Sequence, residues 1–268
     1  MSIEMRGADV AKAMKEELIR EVDALKAEGI QPCLAIVRAG ARPDDLAYER
    51  GARKRMELVG IECRVAKLPE NISQKELERE FSDVNEDPGV HGILLLRPLP
   101  GNLDAGPLKA MIDPMKDVDG MSPENVAKVF AGDEDGFAPC TAEAVMEMLH
   151  HYGISLKGQK AAVIGRSMVV GRPLSMLLMK EHATVTICHT RTADLKEECK
   201  GADILIAAAG KAGMITEEMA GEGAVVVDVG INVNEEGKLC GDVDYDAVMK
   251  KASYISPVPG GVGSVTSS

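Results

Sequence analysis

The apolar run AAVIG at 161–165 leads into GRSMVVG at 165–171, two glycines six residues apart around an arginine and a serine. A glycine turn that leaves a strand and opens a helix gathers free N–H groups and the positive end of the helix dipole, where a phosphate can sit. Alone, such a turn is more often a plain connection, and the GxGxxG spacing is absent. Its surroundings add to it. Arg166 lies in the turn, and Thr190 and Arg191 follow the next apolar run, TVTIC at 184–188, at the place where adenine-ribose recognition occurs in such folds. An acidic residue there would select a free ribose 2′-hydroxyl. None is present, and guanidinium groups pair with a 2′-phosphate, so these residues favour NADP over NAD.

A second group is KDVDG at 116–120, with Asp117 and Asp119 two residues apart. Aspartates in turns commonly cap the backbone. A carboxylate in a pocket can instead accept two hydrogen bonds from an amidine-like ring edge, which selects guanidine-type or pterin-type heterocycles. The cluster ARKR at 52–55 reads most simply as a solvated helix face, and PGGVG at 259–263 as a flexible turn. His91, His150 and His151 lack metal-ligand partners at suitable spacing, and the six cysteines form no CxxC pair, so no metal site is expected.

The elements that must position these groups alternate. Helix periodicity over 7–28, ended by Gly29, precedes a strand near 33–37; helix 43–59, strand 61–67, helix 73–86 and strand 92–96 follow. After loops at 97–104 and 113–120, a helix at 140–151 enters a second unit. That unit reads as strand 161–165, helix 170–181, strand 184–188, helix 192–199 and strands 203–208 and 224–230, then a hairpin over 231–244 with Glu-Gly at its turn. Alternation of this kind predicts α/β domains with parallel sheets. The expected boundaries are 1–139 and 140–254, with 255–268 returning to the first domain.

The chain has 268 residues, which suits about two domains, each with a sizeable core. Its formal charge of -12 argues against nucleic acid or anionic membranes as partners. The opening MSIEMRGADVAK has no apolar segment of the signal type, and no apolar run reaches the ~18 residues of a membrane span, so a cytoplasmic protein with reduced thiols is expected.

In order along the chain, VHGILLLRPLP (90–100), PMKDVDG (114–120), VIGRSMVVGRPLSMLL (163–178), VVVDVGIN (225–232) and SPVPGGVG (256–263) resemble one family. It is the bifunctional methylenetetrahydrofolate dehydrogenase/methenyltetrahydrofolate cyclohydrolase family, and the resemblance covers nearly the whole chain. It implies a folate-binding N-terminal α/β domain and a C-terminal Rossmann-like NADP domain around a cleft, a homodimer, and tetrahydrofolate one-carbon derivatives as substrates. Tyr48 would pack on the folate and Asp119 would hold the pterin edge. Pro257, Pro259, Gly260 and Gly261 would border the substrate. Gly165, Arg166, Ser167, Thr190 and Ile231 would contact the dinucleotide, beside Arg191 from the reading above.

Two positions depart from the family. Its catalytic pattern is Tyr followed four residues later by Lys, on one helix face; here Tyr48 is followed by Ala52. The family carries Gln where this chain has Leu96. Lys54 should point away from the vacant position. Arg55 could reach back toward it, but a guanidinium stays protonated and cannot shuttle protons. The expectation is therefore a dehydrogenase with impaired cyclohydrolase activity. The competing classes are a folate- and dinucleotide-binding pseudoenzyme and an NADP oxidoreductase of a related two-domain fold, such as a shikimate-dehydrogenase-like enzyme.

Overall fold

A computed structural model describes residues Ser2 to Thr266. In chain order the elements are β1 (Ile3–Glu4), α1 (Gly7–Ala27), β2 (Cys33–Ala39), α2 (Pro43–Val59), β3 (Glu62–Leu68), α3 (Gln74–Glu86) and β4 (Gly92–Leu95). Next come α4 (Gly106–Met111), α5 (Pro123–Ala131), α6 (Cys140–His151), β5 (Lys160–Ile164), α7 (Gly171–Lys180), β6 (Thr184–Cys188) and α8 (Leu195–Lys200). The last are β7 (Ile204–Ala207), β8 (Val225–Asp228), β9 (Asn232–Val233), β10 (Leu239–Cys240), α9 (Tyr245–Val248) and β11 (Tyr254–Ile255).

The chain forms two compact units. Ala13–Ala138 is one; the chain up to Lys12 joins Pro139–Thr266 in the other. In the first unit β3, β2 and β4 pair in that order, all parallel. Parallel strands are covered on both faces, so the side chains of β2 alternate between two apolar environments. Ala35 and Val37 pack into a core with Leu77 and Phe81 of α3 and Leu108 of α4, while Ile36 meets Ala52 of α2 on the other face. Full burial of an aromatic such as Phe81 is worth about 2–3 kcal/mol. Helix α3 is started by a capping box: the Ser73 hydroxyl accepts from the Glu76 N–H, and the Glu76 carboxylate accepts from the Ser73 N–H.

In the second unit six parallel strands run β1-β11-β8-β7-β5-β6. The hairpin expected over 231–244 is present as β9 and β10, with Leu239 opposite Val233 and Gly237 in the left-handed region of its turn.

The structure differs from the sequence reading at the ends. The segment 255–266 does not return to the first unit: β11 adds to β8, and β1 pairs in turn with β11. The two remaining residues of the expected return, 267–268, lie outside the described residues. A two-residue strand such as β1 has no periodicity to read, and its place is set by a partner about 250 positions away. Helices α4 and α5 also went unread, although Ser122 caps α5 by accepting from the Asn125 N–H.

Candidate functional site

In an open parallel sheet, ligands lie beyond the strand C-termini where strand order reverses. In the second unit that place is β5, which has β6 on one side and β7 on the other. The residue after β5 is Gly165, with φ +137°, and a Cβ there would lie 2.2 Å from the Ala208 carbonyl oxygen after β7. A Cβ on Gly171 would lie 2.1 Å from the Gly165 carbonyl oxygen. Only glycine fits either position, so the strand-to-helix turn folds tightly and leaves backbone open to a ligand at the start of α7. A dinucleotide phosphate suits this cradle. Arg166 and Ser167 are exposed in the turn, and the Ser167 hydroxyl accepts from the Val170 N–H at 3.0 Å. Thr190 and Arg191 are exposed just past β6. Their turn is fixed by the His189 N–H donating to the Thr192 hydroxyl (2.8 Å) and the Arg191 N–H donating to His189 Nδ1 (3.0 Å).

The same unit contains a cavity of about 240 Å³ lined by Asp228–Ile231, Leu239 and residues 257–264. It brings Ile231, expected on the dinucleotide, together with Pro257, Pro259, Gly260 and Gly261, expected on the substrate. Two residues that sequence reasoning missed organise its wall. Asp228, the last residue of β8, accepts from the N–H groups of Gly230, Asp242 and Val243 at 2.9, 3.0 and 2.9 Å. Burial raises its carboxyl to about 6 against the pull of those three donors, and neighbouring Asp242 adds to the rise. Asp242, fully buried, accepts from the N–H groups of Ala209, Gly210 and Lys211 and from the Asn232 amide. The available signal was an aspartate ending an all-apolar strand, VVVD, a position that burial forbids to an unpartnered charge.

In the first unit the reversal falls at β2, between β3 and β4, and the segment holding KDVDG runs beside β4 through a bridge from Ile93 to Asp117. The structure separates the two aspartates. Asp117 is fully buried and caps the backbone, accepting from Met121 N–H and Ser122 N–H and from the Asn125 amide. Asp119 remains partly accessible and pairs with Arg97, whose Nη2 lies 2.6 Å from Oδ2. The bland reading therefore holds for Asp117, while Asp119 keeps partial exposure beside Arg97.

Tyr48 on α2 is 42% exposed. One turn on, Ala52 is 4% exposed and packs with Ile36 and Leu96 in an apolar cluster flanked by Leu34, Leu94 and Val65. One turn back toward the start of α2 is a feature absent from the sequence reading. Glu49 and Arg38 are both under a tenth exposed, and Arg38 Nε lies 2.6 Å from Glu49 Oε2. The Arg38 guanidinium also donates to the Gly40 carbonyl, tying the pair to the end of β2. Among the described residues no cluster of His, Cys, Asp and Glu could hold a metal ion, and no helix is long and apolar enough to cross a membrane.

Comparison with known proteins covers both units. Residues 5–119 match the family profile described as the tetrahydrofolate dehydrogenase/cyclohydrolase catalytic domain, and residues 139–268 match its NAD(P)-binding domain. The chain is 57% identical over 264 residues to the bifunctional protein FolD of Clostridioides difficile, covering 98% of this chain and 92% of that one. Its structure is similar to the crystal structure of the bifunctional FolD dehydrogenase/cyclohydrolase of Campylobacter jejuni, with TM-score 0.97, 43% identity and coverage of 100% and 95%. It is also similar to the Trypanosoma brucei methylenetetrahydrofolate dehydrogenase-cyclohydrolase complexed with NADP cofactor and inhibitor, with TM-score 0.92, 37% identity and coverage of 99% and 93%. With family profiles matching residues 5–119 and 139–268 in order, this chain belongs to the tetrahydrofolate dehydrogenase/cyclohydrolase family.

Proposed function

We propose that the chain oxidises 5,10-methylenetetrahydrofolate to 5,10-methenyltetrahydrofolate with NADP, and that it hydrolyses the methenyl product weakly or not at all. The observation that carries the second half is the apolar closure of α2 on its sheet: Ala52 and Leu96 are buried against Ile36. NADP, when bound, accepts a hydride. Gly165, Arg166 and Ser167 would hold its phosphates, Thr190 and Arg191 its ribose 2′-phosphate, and Ile231 would contact it from the rim of the 240 Å³ cavity. Tyr48 would stack on the folate, Asp119 would accept from the pterin edge, and Pro257, Pro259, Gly260 and Gly261 would bound the substrate.

The two activities ask different things of the protein. In the oxidation, the methylene carbon loses a hydrogen with both bonding electrons, which leaves a resonance-stabilised methenyl cation; holding the ligands in line supplies most of the catalysis. No protein proton donor is needed. In the hydrolysis, water adds to the cation and both of its protons leave the oxygen: one is taken up by a ring nitrogen as its carbon–nitrogen bond breaks, and the other is released, which leaves a neutral formyl compound. A positioned side chain contributes about 10²- to 10⁴-fold to such proton transfers. Alanine and leucine contribute none of it.

The assay is incubation with methylenetetrahydrofolate and NADP, following NADPH and methenyl absorbance separately. Methenyl compound accumulating one-for-one with NADPH is expected. Prompt conversion to the formyl compound would refute the loss of hydrolysis, and absence of NADPH would refute the oxidation. The reading includes a homodimer, to be checked by sedimentation, and a reducing cytoplasmic setting, which accords with six free cysteines.

A further inference from the structure

Restoring the two family side chains is the obvious way to bring hydrolysis back, and the structure argues that it is not enough. Strand β2 and helix α2 run in opposite directions, so contacts step along both. Ile36 faces Ala52; two residues further along the strand and three back along the helix, Arg38 faces Glu49. The position vacated by lysine is therefore bordered, one layer toward the strand C-terminus, by a buried ion pair.

We propose that Arg38 and Glu49 bar a proton-shuttling lysine from position 52, so that the reaction stays at the methenyl stage even when the two family side chains are restored, an inference that rests on the proposed function. A lysine placed at position 52 would stand three residues after Glu49 on the same helix face, where oppositely charged side chains meet. Its ammonium would be drawn onto the buried carboxylate and held in the protonated form, unable to pass a proton to or from water. Arg38, fixed by Glu49 at 2.6 Å, would repel the same ammonium from the remaining space. Neither cation could then take the lysine's part, because a guanidinium does not give up its proton at working pH. Removing Glu49 would strand the buried Arg38 charge, and removing Arg38 would leave the Glu49 carboxylate only Arg53, whose Nη1 lies 3.8 Å from Oε1. Replacing both with apolar side chains of similar size avoids that penalty.

The test uses four full-length chains: the wild type, A52K/L96Q, R38M/E49L, and the combination of all four substitutions. Each is confirmed folded by circular dichroism and a cooperative thermal transition. Decay of added methenyltetrahydrofolate measures hydrolysis independently of the oxidation step. Hydrolysis by A52K/L96Q is expected within about threefold of the wild type, and by the fourfold variant about 10²-fold above it. A full gain in A52K/L96Q, or no gain in the folded fourfold variant, overturns the proposal. Should the fourfold variant not fold, the crystal structure of A52K/L96Q decides. An introduced ammonium within ~4 Å of the Glu49 carboxylate supports capture, and one clear of it refutes capture. A wild type that makes no NADPH would sink the proposed function instead, while the crystal structure would still judge the pair.

Discussion

Each parallel sheet has a strand flanked on both sides by strands that follow it in the chain, β5 in one and β2 in the other, and these two reversals are finished with different materials. At β5 the finish is backbone: Gly165 and Gly171 pass so close to carbonyl oxygens that no side chain fits, and the turn has one available shape. At β2 the finish is side chains: an apolar plug of Ile36, Ala52 and Leu96, then the buried pair of Arg38 and Glu49. A surface made of backbone resists change. A surface made of side chains can be rewritten by a few substitutions, and Ala52 and Leu96 lie in this one.

The largest expected effect lies at the side-chain end. E49Q alone leaves Arg38 charged in a buried setting and is expected to lower stability by about 3–5 kcal/mol, whereas R38M/E49L together should be near neutral; urea unfolding of the three chains measures both. A double variant as unstable as the single would mean that the pair is worth more than its apolar replacement. Asp228 probes the other unit. Its folded carboxyl value, about 6, lies above the ordinary 3.8, so the native state binds that proton more readily than the unfolded chain does. The contribution is fully present below about pH 4 and is lost as pH rises through about 6, worth up to about 3 kcal/mol. Carboxyl NMR should place its midpoint near pH 6, and a midpoint near 4 would show that the three N–H donors outweigh burial.

At the backbone reversal, G165A is expected to weaken NADP binding about 10²-fold by calorimetry, because the turn must open to admit a methyl group. An unchanged affinity would separate the cradle from the cofactor. The smallest effect is at Arg191: R191A should lower the preference for NADP over NAD about tenfold in kcat/KM, with NAD kinetics little changed.

These differences also explain what the sequence disclosed. The Gly165 turn is local, contained in seven residues between a strand and a helix, and it could be read directly along with the alternation of elements. Arg38 and Glu49 are eleven residues apart on different elements, and their union depends on how α2 settles on β2. In the sequence, Arg38 merely ends an apolar run and Glu49 sits among charges that look solvated. Asp117 and Asp119 were indistinguishable by type and turn context; only packing buries one and leaves the other beside Arg97. Asp228 and Asp242 are joined through hydrogen bonds to backbone, which residue spacing does not reveal.

The pairing of β1 with β11 has a consequence for how the protein is made. Residues 3–4 leave the ribosome early, yet their partners at 254–255 come some 250 positions later, a delay of roughly ten to fifty seconds at ordinary translation speeds. In that interval Ala13–Ala138 is synthesised complete with the core that α3 and α4 close over β2, and it can fold without waiting. The last seam of the molecule is therefore sewn with its first thread, and a shortened version that begins at residue 13 would leave the edge of β11 open to pairing with another chain.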